Sequence, residues 1–168
     1  LVLAAQMQQQ LIPAELPRTD RIEAAAWYQP HRLIGGDYYD LLPLGEERYL
    51  ACVADVSGKG VAAALLMSNF QAQVRAALPH TNDLDRLIRH LNERVFASAR
   101  GERFITFFAG LIDLRASTLR FANAGHNDPL LHDGARIIPL HDGSIALGMM
   151  PNLPFLRIGE MPLPKEGT

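Results

Sequence analysis

Two helix-forming stretches stand back to back in the middle of this chain, with strand-forming stretches on both sides. Residues 59–78, KGVAAALLMSNFQAQVRAAL, are rich in Ala, Leu and Met, and apolar side chains surround much of the helical circumference. A helix of that kind is mostly buried. The next stretch is amphipathic. Leu84, Leu87, Ile88, Leu91 and Val95 recur at i, i+3, i+4, i+7 and i+11, while Arg86, Arg89, Glu93 and Arg94 occupy the other face. Asn82 is placed to cap it, with Asp85 three residues on. Strand patterns precede the pair at residues 21–30, 37–44 and 48–55, and follow it at 103–114, 118–125, 129–133, 135–140 and 153–163. Several connections are short and polar, such as Gly45-Glu46-Glu47 and Asp133-Gly134. Regular strand–helix–strand alternation is absent, which argues against a doubly wound parallel sheet. The order predicts an α+β domain of antiparallel sheets covered by helices.

At 168 residues the chain is long enough for one domain with a real core. Its 16 Lys and Arg against 18 Asp and Glu leave no broad cationic surface, so no nucleic-acid partner is expected. No apolar run approaches the roughly 18 residues of a membrane span. Cys52 is the single cysteine and lies inside the apolar run YLACVAD, which points to a buried thiol and a reducing, cytoplasmic setting. The chain starts at Leu1 and stops in PLPKEGT, and the expectation is a piece of a larger protein. Residues 1–11, LVLAAQMQQQL, form a helix pattern with one narrow apolar stripe, followed by the proline-punctuated segment 13–20. That helix reads equally well as docked on the domain or as the tail of a helix arriving from upstream. The organisation expected is a linker over residues 1–20 and one domain over 21–168.

The chemistry concentrates in two places. In RLIGGDYYDLLPL, a glycine pair leads into Asp37, with a second acid at Asp40. In LACVADVSGKGVAAALLM, Asp55 ends an apolar run and two glycines follow. A carboxylate at the end of a central strand is costly to bury without a partner. Beside a backbone carbonyl it makes an oxygen site suited to Mg²⁺ or Mn²⁺. If the two strands are neighbours, Asp37 and Asp55 can face one metal pair. On spacing alone, turn-capping aspartates are an equal reading. SGKG is not a nucleotide phosphate loop, because Val53 and Gly60 stand where that motif needs Gly and Ser or Thr. Ser57 lacks the G-x-S-x-G frame of a nucleophile elbow. His126, in NAGHND, is read as stabilising its loop rather than as a ligand.

Three motifs in order, GGDYYD, ADVSGKGVAAALLM and FANAGHNDPLL, closely resemble the bacterial PP2C-like (PPM) serine phosphatases of the stage-II sporulation and sigma-factor-regulation type. The similarity runs from about Ile12 to the end, and QMQQQLIPAELPR resembles the segment joining an upstream sensor domain to the catalytic domain. The resemblance implies an α-β-β-α sandwich of two antiparallel sheets flanked by helices. It also implies hydrolysis of phosphoserine or phosphothreonine with two Mn²⁺ or Mg²⁺ ions. Carried over by motif, Asp37 binds one metal, Asp55 bridges both, and the Val56 carbonyl completes part of the first site. Asp40 is left beside the site without a role. The expected partners are a phosphorylated protein, an anti-sigma-factor antagonist, and an upstream sensor domain, with a homodimer open.

The family's further metal aspartates come from a C-terminal region that this chain does not reach, so the C-terminal part of the domain is expected to be missing. Asp113, Asp133 and Asp142 lie in turns that do not match those motifs. Asp128 stands where the family usually has proline and is expected to alter the loop without touching the metals. The alternative to an enzyme is a PP2C-like module that binds without catalysis.

Overall fold

The computed structural model describes residues 2–30, 33–80 and 83–164. Strand β1 (Asp37–Gly45) and strand β2 (Arg48–Val56) form an antiparallel hairpin around Glu46-Glu47. Both loop residues have positive φ, 52° and 59°, the handedness that matches strand twist in a two-residue hairpin. Glutamates are unusual there, and arginines brace them: Arg21 reaches both carboxylate oxygens of Glu47 at 3.1 Å, and Arg115 lies 3.4 Å from Glu46. Two helices follow, α2 (Val61–Ala77) and α3 (Leu84–Ala99), preceded in the chain by the N-terminal helix α1 (Val2–Gln9). The remaining strands are β3 (Ile105–Asp113), β4 (Thr118–Ala124), β5 (Leu130–His132), β6 (Ile137–Pro139), β7 (Gly143–Ser144) and β8 (Gly159–Pro162).

One six-stranded sheet runs β1-β2-β3-β4-β7, with β8 antiparallel to the first half of β4 and β7 parallel to its last two residues. Alternate residues divide it into two faces. Leu50, Cys52, Ala54 and Val56 of β2 point to the helices, together with Tyr38, Ile105, Phe107, Ala109, Ala122 and Ala124 from the neighbouring strands. Against them pack Met67, Phe70 and Val74 of α2 and Leu87, Ile88, Leu91 and Val95 of α3. The Phe70 ring meets Phe107 edge-on at 5.0 Å and Tyr38 at 6.4 Å. The outer face carries a smaller cluster, Phe108, Leu119, Phe121 and Leu140, with Leu131 of the β5–β6 ribbon packed on it. The α+β class is as the sequence indicates. Among the described residues the second layer of strands is this two-stranded ribbon.

Three local expectations are corrected. Residues 21–30 form no strand; only an isolated bridge joins Arg18 to Glu23. Three consecutive alanines give that segment no alternating apolar face, and Arg21 anchors it instead, donating also to the Leu114 carbonyl at 2.7 Å. Of residues 153–163 only Gly159–Pro162 pair as a strand; Leu153, Leu156 and Ile158 turn into the helix-side core. The cap of α3 is Asp83, whose carboxylate accepts from the N–H groups of Asp85 and Arg86 at 3.0 and 3.4 Å; Asn82 lies outside the described residues. Helix α1 docks on the domain through Ala5, which clusters with Ile34 and Ala64, and through Gln8.

Candidate active site

Hairpin register brings the two acids together. Asp37 opens β1 and Asp55 lies next to the end of β2, and they are direct cross-strand partners on the outer face. Asp55 is in turn opposite Thr106 of β3, so Asp37, Asp55 and Thr106 form one row across three strands. Like charges placed opposite each other repel. Burial, then the charge of Asp55 and a hydrogen bond with it, push Asp37 above the ordinary carboxylate value. A cation between the two carboxylates would relieve that repulsion.

Both glycine turns have a geometric reason. A Cβ on Gly36 would come within 3.1 Å of the Val56 carbonyl oxygen, and the Val56 N–H donates to the Gly36 carbonyl at 3.3 Å. The glycine therefore lets the chain before Asp37 lie against the Val56 backbone. After Asp55, Gly58 and Gly60 have φ of 97° and 77°, and a side chain at Gly58 would collide with the Arg103 guanidinium. Ser57 pins the turn: its N–H donates to the Phe104 carbonyl at 2.9 Å, its Oγ accepts from the Phe104 N–H at 2.9 Å, and its carbonyl accepts from Arg103 at 3.0 Å. The two turns enclose a cavity of about 480 Å³ whose wall includes Gly35, Asp37, Asp55, Lys59 and Gly60.

Supporting residues come from β3, from the NAGHND loop in which the sequence reads His126 as a brace, and from the segment before Gly35. Thr106 Oγ1 lies 2.8 Å from His126 Nδ1 and donates to the Asp55 carbonyl at 3.4 Å. The Asn123 side chain holds the His126 loop, donating to the His126 carbonyl at 2.9 Å and to Asp128 at 3.0 Å while accepting from the His126 N–H at 2.8 Å. Burial lowers the His126 pKa, opposed by the charge of Asp55. His126 thus braces its loop and reaches the row of acids through Thr106. Tyr28 is the other addition. Its hydroxyl is buried without a hydrogen-bond partner among the described residues, next to Gly35. Burial and the charge of Asp37 raise its pKa. A tyrosine in AAAWYQP carries no sequence signal for this, and Thr106 reads simply as a strand former.

The other aspartates serve elsewhere. Asp40 lies on the opposite face of β1 from Asp37 and accepts from Arg75 at 2.7 and 2.9 Å and from the Tyr38 hydroxyl at 2.9 Å. Asp113 caps a turn through the N–H groups of Arg115 and Ala116. Asp133 does the same for Ala135 and Arg136, and those N–H donors hold its carboxyl down at about 2. Asp142 pairs with Arg157 at 3.4 Å. Among the described residues no three Asp, Glu, His or Cys side chains gather at one point.

The fold and this site define a class. The structure is similar to the SiaA-PP2C domain of Pseudomonas aeruginosa, with a TM-score of 0.77 and 22% identity, over 96% of this chain and 65% of that one. That likeness establishes the PP2C fold. The chain belongs to the SpoIIE family: the family described as Stage II sporulation protein E matches residues 45–168, which include Asp55, Val56 and the His126 loop. Among curated relatives, Protein IcfG of Synechocystis sp. is 29% identical over 89% of this chain, and the Phosphoserine phosphatase RsbU of Bacillus subtilis is 31% identical over 74%. The chain spans 28% and 37% of their respective lengths. No described helix is long and apolar enough to cross a membrane.

Proposed function

We propose that this chain is the catalytic domain of a metal-dependent protein serine/threonine phosphatase acting on a phosphorylated regulatory protein, an anti-sigma-factor antagonist, in the cytoplasm. One observation carries the reading: Asp37 and Asp55 are cross-strand partners at one end of the sheet, beside the Val56 backbone and facing an open cavity. Membership of a family that includes a phosphoserine phosphatase supports it.

The donors fit Mn²⁺ or Mg²⁺ in kind, being hard oxygens with two negative charges that repel each other in the free protein. In number they are few among the described residues, so water would have to fill the other positions around such an ion. Asp37 and the Val56 carbonyl would hold one ion, and Asp55 would be the carboxylate shared with a second. When bound, such ions supply a water acidic enough to act as a nucleophile near neutral pH and positive charge for the phosphoryl oxygens. The chain's own part is placement. Thr106 fixes the Asp55 backbone, Gly36 brings Asp37 against Val56, and Ser57 ties the turn after Asp55 to Phe104 and Arg103. Residues 1–20 connect the domain to an upstream sensor.

A binding-only module is the second reading, favoured by the absence of a third acid beside the pair among the described residues. Phosphate release from a phosphoserine peptide by the full-length protein, with and without Mn²⁺, decides between them. Mn²⁺-dependent release that falls at least about a hundredfold in Asp55→Asn is expected. No release under any metal, with equal binding of the phosphoprotein by wild type and variant, would leave the binding module.

A further inference from the structure

The SGKG turn fails the letters of a nucleotide phosphate loop, yet the fold places its lysine in the wall of the cavity that holds both acids. Two features fix the backbone around it. Gly58 and Gly60 flank Lys59 with φ of 97° and 77°, conformations that other residues adopt only with strain. Ser57, two positions back, is tied to Phe104 and Arg103 by three hydrogen bonds. The Lys59 Cα is therefore held at the cavity rim. Its side chain is exposed, and among the described residues it makes no ion pair or hydrogen bond, although Asp37 and Asp55 line the same space.

Among the described cavity-lining residues only Lys59 is cationic. Cations bound by the two aspartates would leave its ammonium as the one uncompensated charged side chain among the described residues of the wall. A phosphomonoester dianion then meets a flexible point charge with three donors, suited to an anion entering from solvent. We propose that Lys59 binds the phosphoryl group of the substrate, setting affinity for the phosphorylated side chain rather than holding metal. The inference rests on the phosphatase reading above and names a residue for its substrate. A lysine that merely solvates a turn would make the opposite predictions.

The test is calorimetric titration of the full-length protein in Mn²⁺ with inorganic phosphate and, separately, with a phosphoserine peptide. Lys59→Met keeps most of the aliphatic stem and removes the charge; Lys59→Arg keeps the charge. Lys59→Met is expected to weaken both anions about tenfold, and Lys59→Arg to stay within about threefold of wild type. Mn²⁺ affinity and Tm should be unchanged in both. Wild-type affinity for both anions in Lys59→Met overturns the assignment. So does a loss confined to the peptide, or one explained by weaker Mn²⁺ binding or a lower Tm. A wild-type protein that binds Mn²⁺ but neither anion overturns the phosphatase reading itself, a result distinct from failure of Lys59 alone.

Discussion

The two faces of the main sheet are made by alternate residues of the same strands, yet they differ in almost every physical respect. Toward the helices, Tyr38, Leu50, Ala54 and Phe107 are each 1% exposed or less, and the buried acid on that side, Asp40, is matched by Arg75 and Tyr38. On the outer face Val53 is 41% exposed, and the acids are two like charges side by side. The helix face spends its residues on packing and pairs its buried carboxylate, Asp40, internally. The outer face leaves charge unmatched where a ligand can reach it. One strand can supply both because its side chains alternate, so stability and chemistry are mutated nearly independently.

The sharpest way to break this contrast is to compare deletions on the two sides. Phe70→Ala removes a ring that fills the centre of the helix-side core, and about 4 kcal/mol of stability should go with it in denaturant unfolding. A loss under about 1 kcal/mol would mean that core is looser than its packing indicates. Next in size is Arg75→Ala, which leaves the buried Asp40 carboxylate with the Tyr38 hydroxyl and one backbone N–H. Arg75 is half exposed, so the expected cost is about 2 kcal/mol rather than that of a fully buried pair. An unchanged midpoint would show that the Arg75–Asp40 pair adds nothing to folding.

On the outer face the acids should control ligand binding and barely affect folding. Asp55→Asn is expected to weaken Mn²⁺ on the order of tenfold and to do more harm than Asp37→Asn, because the shared carboxylate serves both ions. Equal affinity in all three proteins would remove both residues from the metal site. Stripped of metal, the wild type should lose stability as pH rises through the raised pKa of Asp37, since the folded state holds that proton more tightly than the unfolded chain does. Asp37→Asn should flatten this part of a Tm-against-pH curve. The smallest effect is expected from Val53→Ala, within about 0.5 kcal/mol by the same unfolding measurement. A cost comparable to Phe70→Ala would reveal a packed outer face and dissolve the comparison.

How much of this could be read from the sequence depended on whether a signal was local. Helix α3 was legible because its apolar spacing is a property of consecutive residues, and Leu84 through Val95 are buried as the period requires. Its cap was off by one, since Asn82 and Asp83 are both good caps and only the backbone decides. The β1–β2 hairpin was legible from two apolar runs and a short polar turn. Its pairing was not: nothing local says that Asp37 rather than Tyr38 lies opposite Asp55, and a shift of one would place the acids on different faces. Residues 21–30 misled because Trp27, Tyr28 and Ile22 suit a strand, whereas the segment is secured by Arg21. Thr106 and Tyr28 reach the site only by tertiary approach, from 51 residues after Asp55 and 9 before Asp37.

The turn at Glu46-Glu47 acts as the zero mark of a ruler. It lies about eight residues from either acid, roughly 27 Å along the strands at their usual rise, and has no contact with the cavity. Yet the alignment of Asp37 with Asp55 is counted from it, rung by rung, past the irregularity between Pro43 and Gly45. Adding or removing a single residue at that distant tip would leave every atom of the cavity's sequence in place and still set its two acids out of step.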